Sequence, residues 1–263
     1  MPKIITEDMI EQAAIKALHE RHNYIVLNCM TEEPDTLPDG TGRKDKKQVV
    51  LPDVMFESLC RINPDIPEAT VRTVVDELCR TPASGDLMLT NYQNYQKIRN
   101  GIIVEYNKNG KKTSNILRLL SYNDALSNTF TVASQMWIKG ETHWRRPDLI
   151  IFINGFPMVF IELKNSNIPV KNAYDINLKN YLKDIPYLFN YNQICVLSNG
   201  METRLGSFAA GYEFFFEWLK VENEKENPDR KAIRENCTSL EYFIAGLCEP
   251  KNLLDYIENF ILY

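Results

Sequence analysis

Apolar residues recur along the chain at two spacings. Near the start, Ile10, Ala13, Ala14, Ala17 and Leu18 follow three- and four-residue steps, the period of a helix with one buried face. Thr6, followed by Glu7 and Asp8, is a helix-start signal. A helix over 6–22 and a short strand over 23–27 are therefore expected. Residues 31–47 are polar, contain Pro and Gly and the run Arg43-Lys44-Asp45-Lys46-Lys47, and read as a surface loop. Two helices are predicted within 53–80, split by Asn63-Pro64-Asp65-Ile66-Pro67, and a third over 86–97. The period then shortens. Residues 101–106 read as a strand, Asn109-Gly110 as a turn and 116–120 as the partner strand. Strands over 129–138 and 194–197, and helices over 172–183, 208–219 and 239–263, complete the pattern. Helices and strands alternate around a central hairpin, which favours an α/β class.

That hairpin lies in Arg146-Pro147-Asp148 through Lys164-Asn165. Two apolar stretches meet at Asn154-Gly155, a strong turn signal. They are bounded by Asp148 at one end and by Glu162 and Lys164 at the other. Alternation puts Glu162 and Lys164 on one strand face. A two-residue loop would set Asp148 opposite Ile161, facing away from Glu162. A three-residue loop, Asn154-Gly155-Phe156, or a bulge near Pro157, would set Asp148 opposite Glu162. A hairpin can also start and end with charges simply because both ends reach solvent. In the second register, two carboxylates and an ammonium converge, and carboxylates so close repel unless positive charge lies between them. Mg²⁺ suits that place, because it binds through one or two carboxylates and stabilises charge on a phosphate. Lys164 would orient a water or stabilise the developing charge, and the chemistry would be phosphodiester hydrolysis.

Composition narrows the classes. The chain has 263 residues, 44% hydrophobic and 25% charged, as expected of a folded globular protein. Its net charge of -5 and pI of about 5.4 argue against a simple DNA-coating protein. The six cysteines, Cys29, Cys60, Cys79, Cys195, Cys237 and Cys248, form no CxxC pair and read as reduced thiols. His19 and His22 are three apart on the first helix, but no cysteine or third histidine lies near in sequence to complete a metal site. The N-terminus lacks the apolar core of a signal peptide. The longest apolar run, 149–161, is interrupted and shorter than the about 20 residues that span a bilayer. A soluble, cytoplasmic protein without a membrane partner is expected.

Pro147-Asp148 followed by Glu162-Leu163-Lys164 resembles the PD-(D/E)xK nuclease motif. Arg145-Arg146-Pro147-Asp148, Phe152-Ile153-Asn154-Gly155-Phe156-Pro157 and Ile161-Glu162-Leu163-Lys164-Asn165 together are similar to the N-terminal endonuclease region of type I restriction enzyme R subunits. Leu51-Pro52, Asn63 to Pro67, Ile185 to Asn192, Ser198-Asn199-Gly200 and Arg204 to Ser207 extend the resemblance over nearly the whole chain.

The resemblance implies a restriction-endonuclease-like core, a central mixed sheet flanked by helices, with a helical insertion over about 51–98. The endonuclease domain would span 1–238. A helical segment, 239–263, would lead toward an ATP-dependent translocase. The chain has no phosphate-binding Gly-x-x-x-x-Gly-Lys-Ser/Thr loop, so it is expected to be a fragment or a truncated chain carrying the nuclease alone, with ATP relevant only to the missing motor. Asp148 and Glu162 would bind Mg²⁺, the Leu163 carbonyl would add a ligand, and Lys164 would be catalytic. Glu11 is a further candidate ligand, the alternative being a solvated helix-face glutamate. Arg145 and Arg146, with Lys171, Lys179 and Lys183, are candidate phosphate contacts. The family pattern Gln-x-x-x-Tyr is met by Asn177 and Tyr181, four residues apart and so on one helix face; the shorter Asn177 leaves its role open.

The implied activity is Mg²⁺-dependent, non-specific cleavage of double-stranded DNA far from the recognition sequence. The implied partners are DNA, the motor of the same subunit, and the methyltransferase and specificity subunits. The alternatives are an idle nuclease-fold module used for docking or DNA binding, and a PD-(D/E)xK nuclease of repair or RNA processing.

Overall fold

Thr6 caps helix α1 (Glu7–His22), its hydroxyl accepting the Met9 N–H at 3.3 Å, and Asn23 closes it at φ 57°. The computed structural model describes residues 5–80, 85–221, 238–261 and 263. Strand β1 (Ile25–Asn28) follows, then helices α2 (Pro52–Ile62), α3 (Glu68–Leu78) and α4 (Leu87–Asn100), the last capped by Asp86. Strands β2 (Ile102–Lys108) and β3 (Lys111–Leu117) form a separate hairpin. Its partner strand begins earlier than the expected 116–120, because Asn109 (φ 53°) and Gly110 (φ 77°) make a two-residue turn with Lys108 opposite Lys111.

The region expected as one strand over 129–138 is two. β4 (Phe130–Ser134) stops where Gln135 turns to φ 56°, and β5 (Ile138–Lys139) pairs instead with β6 (Trp144–Arg145). β7 (Leu149–Ile153) and β8 (Phe156–Leu163) form the central hairpin. After β8 comes a π turn, Ala173–Leu178, continuing into helix α5 (Lys179–Asp184). Strands β9 (Ile194–Ser198) and β10 (Thr203–Gly206) and helices α6 (Ser239–Gly246) and α7 (Pro250–Asn259) complete the order.

Six strands make one mixed sheet in the order β1-β4-β7-β8-β9-β10. β1 runs parallel to β4 and β8 parallel to β9; the other neighbours are antiparallel. Every residue of β4, β7, β8 and β9 is buried. That is why β7, β8 and β9 read as largely apolar runs rather than alternation. Phe160 of β8 packs on Tyr181 of α5 and on Phe189, with ring centroids 5.3 and 5.6 Å apart. α6 and α7 join the same core through Leu240, Phe243, Ile244, Leu253, Leu254 and Ile257. Tyr24 donates to the Cys248 carbonyl at 2.9 Å and Tyr95 to that of Ile257 at 3.0 Å. The expected single helix over 239–263 is thus broken at Glu249-Pro250, where the Glu249 carboxylate caps α7.

Two further expectations are corrected. Residues 208–219 are not a helix. Gly211 precedes a single turn of 3₁₀ helix, Tyr212–Phe214, and Phe216 then exchanges both backbone hydrogen bonds with Leu205. Phe215 lies over Gly206, where any Cβ would meet its ring at 2.7 Å. Residues 31–47 are not merely surface. Asp39, Thr41, Arg43 and Lys46 are buried, and the Asp39 carboxylate takes both Arg43 (2.5 Å) and Lys46 (2.7 Å). Arg43 also donates to the carbonyls of Gln48 and Trp137. Burial raises the Asp39 carboxyl, but Lys46, Thr41 and Arg43 outweigh it and hold the group at about 2. Removing one member of such a group strands the others without compensation. Asp39→Ala should therefore cost about 3–5 kcal/mol of unfolding free energy in urea titrations, whereas a loss below about 1 kcal/mol would mark the cluster as equivalent to a surface pair.

Candidate active site

The hairpin's register comes from a bulge. Asn154 (φ 49°) and Gly155 (φ 82°) form a two-residue turn with Ile153 opposite Phe156, so the three-residue loop does not occur. Phe152 pairs with Pro157 but Ile151 with Val159, which leaves Met158 as the extra residue. Past it, Leu149 pairs with Ile161, and the next step sets Asp148 opposite Glu162. The turn itself is buried. The Asn154 side chain accepts the Thr129 N–H (2.7 Å) and donates to the Leu119 carbonyl (3.0 Å) and to Asn128 (2.9 Å). Leu51 N–H donates to the Gly155 carbonyl at 2.9 Å, so close that a Cβ at Gly155 would meet the Leu51 carbonyl at 2.6 Å. The closed end of the hairpin is thus locked by α2, and the charges gather at the other end.

There, Asp148 Oδ2 accepts the Leu163 N–H at 2.7 Å, and Asp148 Oδ1 lies 3.4 Å from Gln135 Nε2. Glu162 is 2% exposed. Its Oε1 accepts from Lys164 Nζ at 3.1 Å, while its Oε2 is buried without a hydrogen-bond partner among the described residues. Lys164 Nζ also donates to the Leu163 carbonyl at 2.6 Å, and its backbone N–H to Ser198 at 2.8 Å. Burial, then repulsion from Asp148, pushes the Glu162 carboxyl up to about 8 despite Lys164. Burial also raises Asp148, against the Leu163 N–H and Lys164.

Glu11 joins from α1. The start of that helix is pinned to the exit of β8: Glu7 N–H donates to Asn165 Oδ1 (3.0 Å) and Asn165 N–H to Glu7 Oε1 (3.2 Å). One turn on, Glu11 Oε2 accepts from Gln135 Nε2, the same nitrogen that approaches Asp148. Burial raises Glu11 to about 7, with Asp148 adding to the rise against the Gln135 bond. Gln135 was not among the candidates from sequence; a glutamine at a strand end carries no signal of its own. Among the described residues, no three His, Cys, Asp or Glu side chains gather closely enough to cage a metal ion.

The accessory candidates separate. Arg145 is bound to Asp184, whose carboxyl it holds below the ordinary range. Arg146 stacks over Trp137, 4.8 Å from the ring centroid, and its carbonyl accepts the Tyr181 hydroxyl at 3.1 Å. Tyr181 is buried beside Glu162, and burial and that carboxylate raise its phenol. Asn177 lies on the π turn, half-buried. Lys171 and Lys179 both pair with Asp175. The two histidines of α1 bond backbone carbonyls, His19 that of Tyr24 and His22 that of Ile244. Five cysteines are free thiols; Cys237 lies outside the described residues. No helix among the described residues is long and apolar enough to cross a membrane.

Residues 4–237 match the family described as the type I restriction enzyme R protein N terminus. The type I restriction enzyme HindI endonuclease subunit of Haemophilus influenzae is 34% identical, over 99% of this chain and 24% of its own length. The putative MjaIXP endonuclease subunit of Methanocaldococcus jannaschii is 28% identical over 99% of this chain and 26% of its own. The EcoprrI endonuclease subunit of Escherichia coli is 28% identical over 76% and 61%. The chain thus spans about a quarter of the length of the first two relatives.

The carboxylates give the fold a pH dependence of definite sign. Glu162 holds its proton up to about 8 when folded, against an ordinary value of 4.5, so the folded state binds more protons between those limits. Without divalent metal, stability should therefore fall as pH rises from about 4.5 to about 8. Glu162→Gln, with no proton to lose, should melt on the order of a few degrees higher at pH 8, the gain vanishing toward pH 5. Equal melting temperatures at pH 8 in chelator would contradict the burial argument.

Proposed function

The chain belongs to the family of type I restriction enzyme R protein N termini, and from that premise we propose that it is a Mg²⁺-dependent endonuclease domain hydrolysing phosphodiester bonds of double-stranded DNA. The observation that carries the reading is Asp148 set opposite Glu162 by the Met158 bulge, with one Glu162 oxygen buried and without a hydrogen-bond partner among the described residues. A buried carboxylate oxygen without a donor is costly. Glu162, raised by burial and then by repulsion from Asp148, and Asp148, raised by burial, fit a small hard cation. Asp148 and Glu162 would hold Mg²⁺, and the Leu163 carbonyl beside them is a third oxygen. Mg²⁺ would supply Lewis-acid stabilisation of charge on a phosphoryl oxygen.

The chain's own groups do the rest. The Leu163 N–H fixes the Asp148 carboxylate. Lys164, held by its backbone bond to Ser198 and by Glu162, presents an ammonium where negative charge develops on the phosphate and where a water is oriented. Arg146, stacked on Trp137 and in no ion pair among the described residues, is the better phosphate contact, since Arg145 is committed to Asp184. Tyr181 closes the buried side of Glu162.

Cleavage without sequence preference, away from the recognition site, follows if separate specificity and methyltransferase subunits and an ATP-driven motor bring the DNA, in the cytoplasm. Asn177 on its π turn favours a second reading, an idle module that docks DNA or partners.

Calorimetry with Mg²⁺ and Mn²⁺ separates the two. The chain should bind divalent metal, and Glu162→Ala should not. Because binding expels the Glu162 proton, affinity should rise with pH up to about 8. Lys164→Ala should keep metal binding and lose roughly 10²–10³-fold in plasmid cleavage. Metal binding unchanged in Glu162→Ala contradicts the site, and metal binding with no cleavage in any divalent salt supports the idle module.

A further inference from the structure

Gln135 ends β4 with φ 56°, a left-handed conformation uncommon outside glycine. Such outliers persist where the surroundings fix them, and here they do. Its backbone N–H donates to the Asp148 carbonyl at 3.0 Å. Its side chain leaves the strand and places Nε2 between two carboxylates, donating to Glu11 Oε2 and approaching Asp148 Oδ1 at 3.4 Å. An amide nitrogen is a donor only. It satisfies carboxylate oxygens and offers nothing to a metal, whose hard ligands are oxygens. Glu11, 7% exposed, is therefore held beside the site but faces an amide rather than an open position.

Resting on the cation site proposed at Asp148 and Glu162, we infer that Gln135 is a positioning residue that sets the number of metals: its amide fills the place a second divalent cation would take between Glu11 and Asp148, and so confines metal to the Glu162 side of Asp148. The Gln135 N–H groups do for buried Glu11 and half-buried Asp148 what a cation would do for Asp148 and Glu162, offsetting the repulsion of two neighbouring acids. A carboxylate at this position would reverse that. Three acidic groups would face one another, and only added positive charge would relieve them.

The test is Mn²⁺ stoichiometry, read by calorimetry and by the spin-resonance signal of free Mn²⁺, with thermal melts checking each fold. The unchanged chain should bind one ion. Gln135→Glu should bind two, and Glu11→Gln combined with Gln135→Glu should return to one. Gln135→Ala, which opens the same space without adding charge, should take up a second, weaker ion, and it carries the test if Gln135→Glu does not melt cooperatively. One ion in both Gln135 variants overturns the inference; if that ion is lost in Glu162→Ala, the site proposed above still stands. Two ions in the unchanged chain overturn the inference alone. No Mn²⁺ bound to the unchanged chain overturns both.

Discussion

Two ionised carboxylates cannot be buried side by side without positive charge or hydrogen-bond donors between them, and the site is arranged around that constraint. The sheet brings Asp148, half-buried, beside Glu162, which water barely reaches. Each neighbour then answers part of the charge. The Leu163 N–H takes one oxygen of Asp148, Gln135 approaches the other, and Lys164 takes one oxygen of Glu162. The last Glu162 oxygen is left over. Burial, and then repulsion from Asp148, raise the Glu162 carboxyl to about 8. A divalent cation is the species whose charge and oxygen preference match it, which is why the reading turns on metal rather than on the lysine.

What holds the constraint in place is rigid packing, not the site itself. All thirteen residues of β7 and β8 are buried, so a slip by one residue would turn apolar side chains out of the core as well as separating the acids. The closed end is fixed by Asn154, whose amide satisfies three separate polar groups, and by the close approach of Gly155 to α2. The open end is fixed from two sides. Glu7 and Asn165 tie α1 to the exit of β8, and Lys164 is bonded to β9. Chemistry at a strand end supported by elements this constrained needs little rearrangement to act.

The hairpin was legible because Asn154-Gly155 between apolar strands is a local signal, and the three charges were legible because their spacing matched a known pattern. The register was not. Met158 carries no mark of a bulge, and the extra residue is accommodated only by the packing of two buried strands. Thr6 announced its helix as a cap does. The segment over 208–219 misled because its aromatic residues, most of them crowded into Tyr212 to Trp218, carry no helical period. Arg43 and Lys46 misled because charged residues in a Pro- and Gly-containing loop resemble a solvated run until Asp39 is seen between them in space. Gln135 and the paired state of Arg145 were beyond reach for the same reason: each depends on partners distant in sequence.

The central claim is that the Met158 bulge creates a cation position between Asp148 and Glu162. Anomalous scattering from crystals grown with Mn²⁺ measures this directly. One strong peak is expected between the Asp148 and Glu162 carboxylates. A map with no peak there, or with its strongest peak at another group of side chains, would contradict it.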